Sequence, residues 1–341
     1  MRPKKNITQA DDGMRMYAAL DVHKVYSQIA VEDEDGVLLC EERLENDPDM
    51  IEKFSDSLPP DTSMVLESSS SWYWMYSILS KRHKVILSNP IKTKAIASAK
   101  VKTDRVDALT LVNLLRGGYI PECYVPPKRI MELRELVRYR ANLVRMRSSV
   151  KNYIHAYLLM NNVRISAKPF TKEFIDEVRK IEEPRVKGYL RLIDSLNDEM
   201  HEASRIICER ASNDEDAKLL MTIPGISFFS ALLIGSEIGD VSRFPDAYHL
   251  ISYAGLAPST HSSGGTTYHG RITKAGSPEL RWILNQCVRV YIREEPDSEI
   301  AAFYNRLRKK KGDSKAIVAA SAKLLKIVYL VLKEKREYYH G

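Results

Sequence analysis

The chain contains 341 residues, of which 44% are hydrophobic and 28% are charged, and its formal net charge is +7. These values are ordinary for a soluble globular protein of two or three domains, and the positive charge allows a polyanionic partner without requiring one. The four cysteines form no Cys-x-x-Cys pair, which argues against a zinc site and a disulfide framework. Neither a signal peptide nor a membrane span is predicted, so we expect a cytoplasmic protein with no membrane partner.

Short apolar strands alternate with helices in the first third of the chain. Residues 1–15 are predicted to be a flexible tail, and the elements follow between residues 16 and 125. Strands are expected at 16–21, 26–31, 37–44, 63–67 and 85–88, and helices in the Asp-rich stretch after the third strand, at 72–82, at 91–99 and from 104 onward. The order β-β-β-α-β-α-β-α predicts an α/β domain with a mixed sheet flanked by helices.

Glycines 117 and 118 and the prolines between 121 and 127 mark a predicted boundary. Apolar residues then recur at helical spacing over 128–160 and again over about 170–211, with an interruption near Pro184, which predicts a helical coiled-coil linker at 126–215. A mostly helical domain is expected at 216–341. Within it, residues 223–226 read Ile-Pro-Gly-Ile, the turn of a helix-hairpin-helix-like unit, although ordinary helix pairs also turn on Pro-Gly.

Four carboxylates stand at the ends of the predicted elements. Asp21 and Glu67 end two strands, whereas Asp104 and Asp107 share one face at a helix start. Two carboxylates 4 Å apart repel by about 4 kcal/mol at an effective dielectric of about 20, and a Mg²⁺ pair would turn this cost into a binding site. Two alternatives stay open here: Asp104 caps the helix with Asp107 as a first-turn charge, or the strand-end acids are simply solvated.

At these residues the chain resembles a known family. Asp21, Glu67 and the segment 102–108 resemble the DEDD motif of the transposases of insertion-sequence family one-hundred-ten, which are RNA-guided (bridge-RNA) recombinases. The C-terminal half carries further matching motifs, at residues 223–226, 237–240, 253–258, 262–264 and 271–276. The resemblance spans roughly residues 16–335.

The resemblance implies a fold and a mechanism. It implies a ribonuclease H/RuvC-like N-terminal domain, a coiled-coil linker and a C-terminal transposase domain. Asp21, Glu67, Asp104 and Asp107 would hold Mg²⁺ and be catalytic together with Ser263, the nucleophile of a covalent phosphoserine link to DNA. The implied partners are donor and target DNA, a structured non-coding guide RNA and further copies of the chain, as dimers pairing into tetramers at the bacterial nucleoid.

Residue types alone do not single out Ser263. It is one of six hydroxyl residues in a polar loop with two glycines, and a serine hydroxyl needs a base or a metal for activation. The chain also departs from the family pattern at Ala19, at residues 68–71 and at Thr266. None of these departures removes a catalytic atom.

Basic residues are concentrated in the predicted linker, where residues 128–151 contain eight basic and two acidic side chains. Contacts to nucleic-acid phosphates are expected from seven residues across the chain: Lys102, Arg138, Arg145, Lys151, Arg271, Lys274 and Arg281. Such contacts are salt-dependent and do not read sequence. For any one of them the alternative is a solvated helix face.

The sequence therefore predicts an enzyme that moves an insertion sequence by cutting and rejoining DNA. Two other functions remain open: a metal-dependent junction endonuclease that forms no covalent intermediate, and a non-catalytic nucleic-acid-binding protein. An actin-like ATP phosphotransferase would share the strand order. It would need a glycine-rich phosphate loop after the first strand, where this chain has Val22-His23-Lys24.

Overall fold

The computed structural model describes residues 14–69, 71–97, 103–263 and 266–339, without the side chains of residues 260–263 and 266–269. The chain divides into two compact units, residues 1–125 and 126–341. The further boundary expected at residue 215 stays a prediction.

The first unit contains the predicted mixed sheet, with every predicted strand in place. Its elements are β1 Met16–Val22, β2 Tyr26–Asp33, β3 Leu38–Glu45, α1 Pro48–Asp56, β4 Ser63–Glu67, α2 Trp72–Leu79, β5 Lys84–Ser88, α3 Pro90–Ile96 and α4 Asp104–Arg116. The strand order is β3-β2-β1-β4-β5. β1 pairs antiparallel with β2 and parallel with β4, so the sheet is mixed, in broad agreement with the ribonuclease H-like domain that the resemblance implies.

Strand alternation divides the side chains of this sheet between two cores. Leu20, Leu66 and the other even-numbered apolar residues of β1 and β4 pack with α1 and α2. Ala19 and Val65 point to the opposite face, where they pack against Leu111 and the other apolar residues of α4. Each fully buried leucine or valine contributes roughly 1.5–3 kcal/mol relative to exposure. The alternation therefore fixes which face of the sheet α4 covers.

The second unit opens with the predicted pair of long helices. α5 spans Lys128–Met160 and α7 spans Pro184–Ser212, with the short helix α6 at Lys172–Arg179 between them. Apolar residues of the three helices share one core. Pro184 lies in the first turn of α7, where its missing N–H has no intrahelical partner to lose, and so the predicted interruption is the start of a helix.

The remaining elements form a mostly helical arrangement around a second core in this unit. They are α8 Glu215–Met221, α9 Phe228–Ile238, a 3-10 turn Val241–Arg243, α10 Ala247–Tyr253, β6 Pro258–Ser263, β7 Thr266–Ile272, α11 Pro278–Glu294, α12 Glu299–Lys311 and α13 Asp313–Glu334. None of the helices in the described ranges is long and apolar enough to cross a membrane.

The interpretation of the segment around Ser263 as a polar loop was wrong. β6 and β7 pair antiparallel as a hairpin, with Ser263 opposite Thr266. Both strands consist mostly of polar residues, so the sequence shows no alternation of apolar and polar side chains. Their pairing depends on backbone hydrogen bonds, which the side-chain pattern does not reveal. The Gly264-Gly265 pair is a hairpin-turn signal in the sequence, and it lies outside the described residues.

Candidate active site

The sheet directs Asp21 and Glu67 to the face that α4 covers. Asp21 follows Ala19 by two residues in β1, and Glu67 follows Val65 by two residues in β4, so each shares the face of its neighbour. In the parallel register Ala19 pairs with Val65, and continuing that register places Asp21 beside Glu67. The two strand-end acids therefore project on the side of the sheet where α4 packs.

The start of α4 brings the other two acids to the same face. Thr103 is the N-cap residue, and its Oγ1 accepts a hydrogen bond of 3.3 Å from the amide of Val106. Asp104 is therefore not the cap, which removes one of the alternatives left open by the sequence. Both Asp104 and Asp107 lie in the first turn, where the helix dipole favours negative charge.

A histidine that the sequence analysis did not assign to the site lies between two of these carboxylates. His23 Nε2 is 3.2 Å from Asp21 Oδ2 and 3.3 Å from Asp104 Oδ2. The nitrogen is buried, and neither contact is aligned as a hydrogen bond. Donor atoms of Asp21, His23 and Asp104 all lie within 4.8 Å of one another, close enough to share one cation.

Neighbouring groups hold His23 and Asp104 in position. The turn after β1 is closed by a 2.9 Å bond from the His23 amide to the Tyr26 carbonyl, and the Asn46 side chain donates to the His23 carbonyl at 2.7 Å. The Tyr26 hydroxyl donates to Asp104 Oδ2 at 2.7 Å. The Arg43 guanidinium stacks 3.4 Å from the Tyr26 ring centre, which supports the tyrosine from its other side.

The charges in this cluster act on Asp21. Burial and, to a smaller extent, the charges of Glu67, Asp107 and Asp104 together raise the pKa of its carboxyl to about 6, although the charge of His23 lowers it. Because the folded pKa exceeds the unfolded value, this group favours folding at low pH, and that contribution is lost as pH rises through about 6. At Asp104 the effect is opposite, since the hydrogen bond from Tyr26 lowers the pKa of that carboxyl.

These residues fit a divalent cation. Carboxylate oxygens are the donors that Mg²⁺ prefers, and an imidazole nitrogen is a donor that Mn²⁺ and other transition metals accept readily. Above pH 6 the buried Asp21 carboxylate faces three more acids, a repulsion that a bound cation would relieve. The structure thus brings the quartet to one face of the sheet, and adds His23 and Tyr26 to it.

The sequence contained a signal for both additional residues. His23 follows Asp21 by two positions at the end of a strand, the spacing that keeps side chains on one face, and Tyr26 begins the strand paired with β1. In the sequence, residues 22–24 indicate only that a glycine-rich phosphate loop is missing after β1. The pairing of β1 with β2 brings Tyr26 back to the acids.

The β6–β7 hairpin that carries Ser263 is fixed at its base. The Thr273 amide donates to the Ala257 carbonyl at 3.0 Å, and the Lys274 amide donates to the Gly255 carbonyl at 3.1 Å. Gly255 has φ +69, and an added Cβ there would lie 2.8 Å from the Ala275 nitrogen, so this close approach requires glycine. The Ser263 side chain lies outside the described atoms, so its predicted role stays a prediction.

Three of the seven residues expected to contact nucleic acid are engaged with other groups of the protein. Arg138 makes a two-point ion pair with Glu237, at 2.8 and 3.0 Å. Arg145 pairs with Glu279 at 2.8 Å. Arg281 Nη1 donates to the carbonyls of Ala254 and Gly276 at 3.0 and 2.9 Å and so ties the base of the hairpin to α11.

The other four are placed differently. The Lys151 ammonium lies 4.4 Å from the centre of the Phe170 ring. Arg271 and Lys274 are exposed at and just after the end of β7, where phosphate contact is open to them. Lys102 lies outside the described residues.

The turn between α8 and α9, where a helix-hairpin-helix-like unit is expected, packs against α11. A Cβ on Gly225 would lie 2.6 Å from the Cys287 carbonyl oxygen. The amides of Ile223 and Ile226 already donate within the turn, to Leu220 and Ile223. These two amides are therefore not free to hold a phosphate.

Two protein-family models match the chain. The model described as Transposase IS116/IS110/IS902 family matches residues 217–305, and the DEDD transposase model of the IS110 type matches residues 18–161. Together they cover more than half of the chain. The chain therefore carries both domains of the IS110-type insertion-sequence transposases. The second match contains all four carboxylates, the first contains Ser263, and a DEDD transposase domain implies the use of a divalent metal ion.

Individual relatives agree with this assignment. The transposase for insertion sequence element IS1328 of Yersinia enterocolitica is 27% identical over 293 residues, 82% of this chain and 86% of the relative. The pilin gene-inverting protein of Moraxella bovis is 28% identical over 285 residues, 81% of each chain. The protein y4qE of Sinorhizobium fredii, named as a transposase, is 25% identical over 233 residues, 66% of this chain but 57% of that relative. The chain is thus an enzyme of the DNA transposase and recombinase class.

Proposed function

We propose that this transposase cuts and rejoins DNA at sites chosen by a structured guide RNA, using Mg²⁺ and a covalent phosphoserine intermediate. The observation that carries the proposal is the convergence of four carboxylates, since the charges of Glu67, Asp104 and Asp107 all raise the pKa of Asp21. Proteins rarely gather so much negative charge around a buried acid without a cation to bind it.

Asp21, Glu67, Asp104 and Asp107 would hold the metal, with His23 as a nitrogen donor beside them. When bound, the cation supplies positive charge against the phosphodiester oxygens during strand exchange. Tyr26 orients the Asp104 carboxylate through its hydroxyl. The low exposure of Asp21, at 5%, excludes water from one side of the cluster and strengthens its attraction for a cation.

Ser263 would supply the nucleophile. Its oxygen bonds to a DNA phosphorus as the bond from that phosphorus to a deoxyribose oxygen breaks; the serine proton leaves to solvent and the freed deoxyribose oxygen takes one up. One phosphate ester replaces another of similar energy, so rejoining needs no further energy source. A nuclease that uses water as the nucleophile would lose this bond energy and could not rejoin the strands.

A trapping experiment tests the serine. The full chain, mixed with DNA carrying the ends of its own element and quenched in detergent, should give a protein–DNA adduct with phosphate on Ser263 by mass spectrometry. Ser263→Ala should give no adduct, whereas the neighbouring Ser262→Ala should give a wild-type yield. Cleavage without an adduct in both wild type and Ser263→Ala would establish the water-attack nuclease instead.

The guide RNA has a separate test. The full chain, expressed together with its flanking DNA and purified, should retain one structured non-coding RNA encoded beside its gene. Deleting that RNA segment should abolish recombination while leaving protein yield unchanged. Recovery of background cellular RNA alone, with recombination intact after the deletion, would remove the guide from the proposal.

A further inference from the structure

The eight basic residues of α5 fall into two groups. Five of them interact with acidic side chains or with helix carbonyls of the same unit: Lys128 with Glu132, Arg129 with Asp214, Arg134 with the carbonyls of Ser236 and Glu237, Arg138 with Glu237, and Arg145 with Glu279. The charges of this group are satisfied within the protein. The other three are Arg140, Arg147 and Lys151.

These three cations have neutral partners. Arg140 Nε donates to the Ser204 hydroxyl at 2.8 Å, and Arg147 Nη1 donates to the Asn197 side-chain oxygen at 2.8 Å. Within the described part of the chain, no carboxylate lies within ion-pair distance of any of the three. Their spacing of seven and four residues places them along one face of α5.

Two of the three also line a cavity on the surface of the helix pair. Its volume is ≈ 290 Å³, and it is lined by Arg140, Arg147, Asn197, Met200, His201 and Ser204. Burial lowers the pKa of both Arg140 and Lys151, and the charge of Arg147 lowers each further. Three half-buried cations therefore repel one another around a space lined by hydrogen-bonding groups.

We propose that this cavity and the adjoining Lys151 bind backbone phosphates of the DNA on which the transposase acts. The inference rests on the proposed function only in that the chain binds DNA; it needs neither the serine nor the guide RNA. A guanidinium offers paired N–H donors that match phosphate oxygens, and a phosphate would remove the mutual repulsion of the three cations. Eleven residues of helix span about 16 Å, which corresponds to about five nucleotides of one DNA strand measured along the duplex axis.

The experiment measures DNA affinity as a function of salt. For the full-length Arg147→Gln protein we expect binding to a duplex of the element's end to weaken about fivefold at low salt. The slope of log K against log salt should shrink by about 0.9, one released counterion. Arg140→Gln and Lys151→Gln should behave similarly, and Arg147→Lys should restore most of the slope.

The matched control is Arg205→Gln. Arg205 lies on α7 of the same helix pair, but it is exposed and ion-paired with Glu202, so the variant changes net charge equally without touching the cavity. Its salt slope should equal that of wild type. Equal slopes for Arg147→Gln and Arg205→Gln would overturn the cavity assignment while leaving the proposed function intact.

Two further outcomes would also count against the inference. If wild type binds no DNA in a salt-dependent manner, the proposed function fails together with it. The same measurement is repeated with an RNA duplex of the same sequence. If Arg147→Gln reduces the salt slope for RNA but not for DNA, the cavity binds RNA and the assignment to DNA is overturned. A reduced salt slope with DNA supports the assignment to DNA, whether or not the slope with RNA is also reduced.

Discussion

At the scale of single residues, the candidate metal centre depends on a histidine as well as on four acids. His23 Nε2 lies within 3.3 Å of oxygens on both Asp21 and Asp104, and its backbone is fixed by Tyr26 and Asn46. A nitrogen donor in an otherwise oxygen-rich set broadens the choice of metal toward manganese. It also provides a spectroscopic signature that an all-carboxylate site would lack.

We predict a directly bonded nitrogen on Mn²⁺ at this site. Pulsed electron paramagnetic resonance of the Mn²⁺-loaded protein should show a ¹⁴N coupling that His23→Gln abolishes, with Mn²⁺ affinity falling about tenfold. His249→Gln, an exposed histidine paired with Asp246 in the other unit, should leave the coupling intact. A coupling that survives His23→Gln would show that the imidazole is not a ligand.

At the scale of secondary structure, two arginines of α5 bind the C-terminal end of α9. Arg134 donates to the carbonyl of Ser236 at 2.7 Å, and Arg138 neutralises the carboxylate of Glu237, which is 1% exposed. The last carbonyls of a helix lack intrahelical partners and carry partial negative charge, and Arg134 satisfies them at this helix end. Part of the basic segment of α5, which the sequence predicts to contact nucleic acid, therefore serves to pack α5 against α9.

The buried pair gives a stability prediction. Arg138→Ala leaves the Glu237 carboxylate buried and unpaired, which should reduce the free energy of unfolding by about 3–5 kcal/mol. Arg205→Ala breaks only an exposed pair and should cost less than about 1 kcal/mol. Chemical denaturation monitored by circular dichroism measures both. If Arg138→Ala keeps wild-type stability but loses DNA affinity, Arg138 is a phosphate contact after all.

At the scale of the whole molecule, the two groups proposed for chemistry belong to different compact units. The carboxylates lie in residues 1–125 and Ser263 in residues 126–341. The resemblance predicts an oligomer in which the acids of one subunit complete the serine site of another. Such an arrangement would prevent strand cleavage until the subunits and DNA have assembled.

Complementation tests this arrangement. Ser263→Ala and Asp104→Asn should each be inactive in recombination, and co-expression should restore about a quarter or less of wild-type activity, because mixed oligomers contain some intact composite sites. Co-expression of Ser263→Ala with Asp107→Asn should do the same, whereas Asp104→Asn with Asp107→Asn should not. No restoration in any combination would mean that each chain supplies both groups to its own site.

Local patterns in the sequence were sufficient to predict most of the elements. The five strands of the first unit, the long helices α5 and α7 and the interruption near Pro184 all follow from apolar periodicity, turns and proline position. The β6–β7 hairpin did not follow, because its strands are polar and their pairing is a contact between backbones. Periodicity reports only elements that bury an apolar face.

The sequence by itself indicated the family, because its motifs resemble those of the family over most of the chain, and it singled out the four acids, whose role as metal ligands stays a prediction. Only the tertiary structure showed that Thr103, and not Asp104, caps α4. It also showed that His23 and Tyr26 lie against the acids, and which basic residues of α5 form ion pairs within the protein. The physical reason is that charge neutralisation depends on which side chains meet across elements. Arg138 and Arg140 are two residues apart, but only the packing of α9 and α7 against α5 gives one a buried carboxylate and the other a neutral hydroxyl.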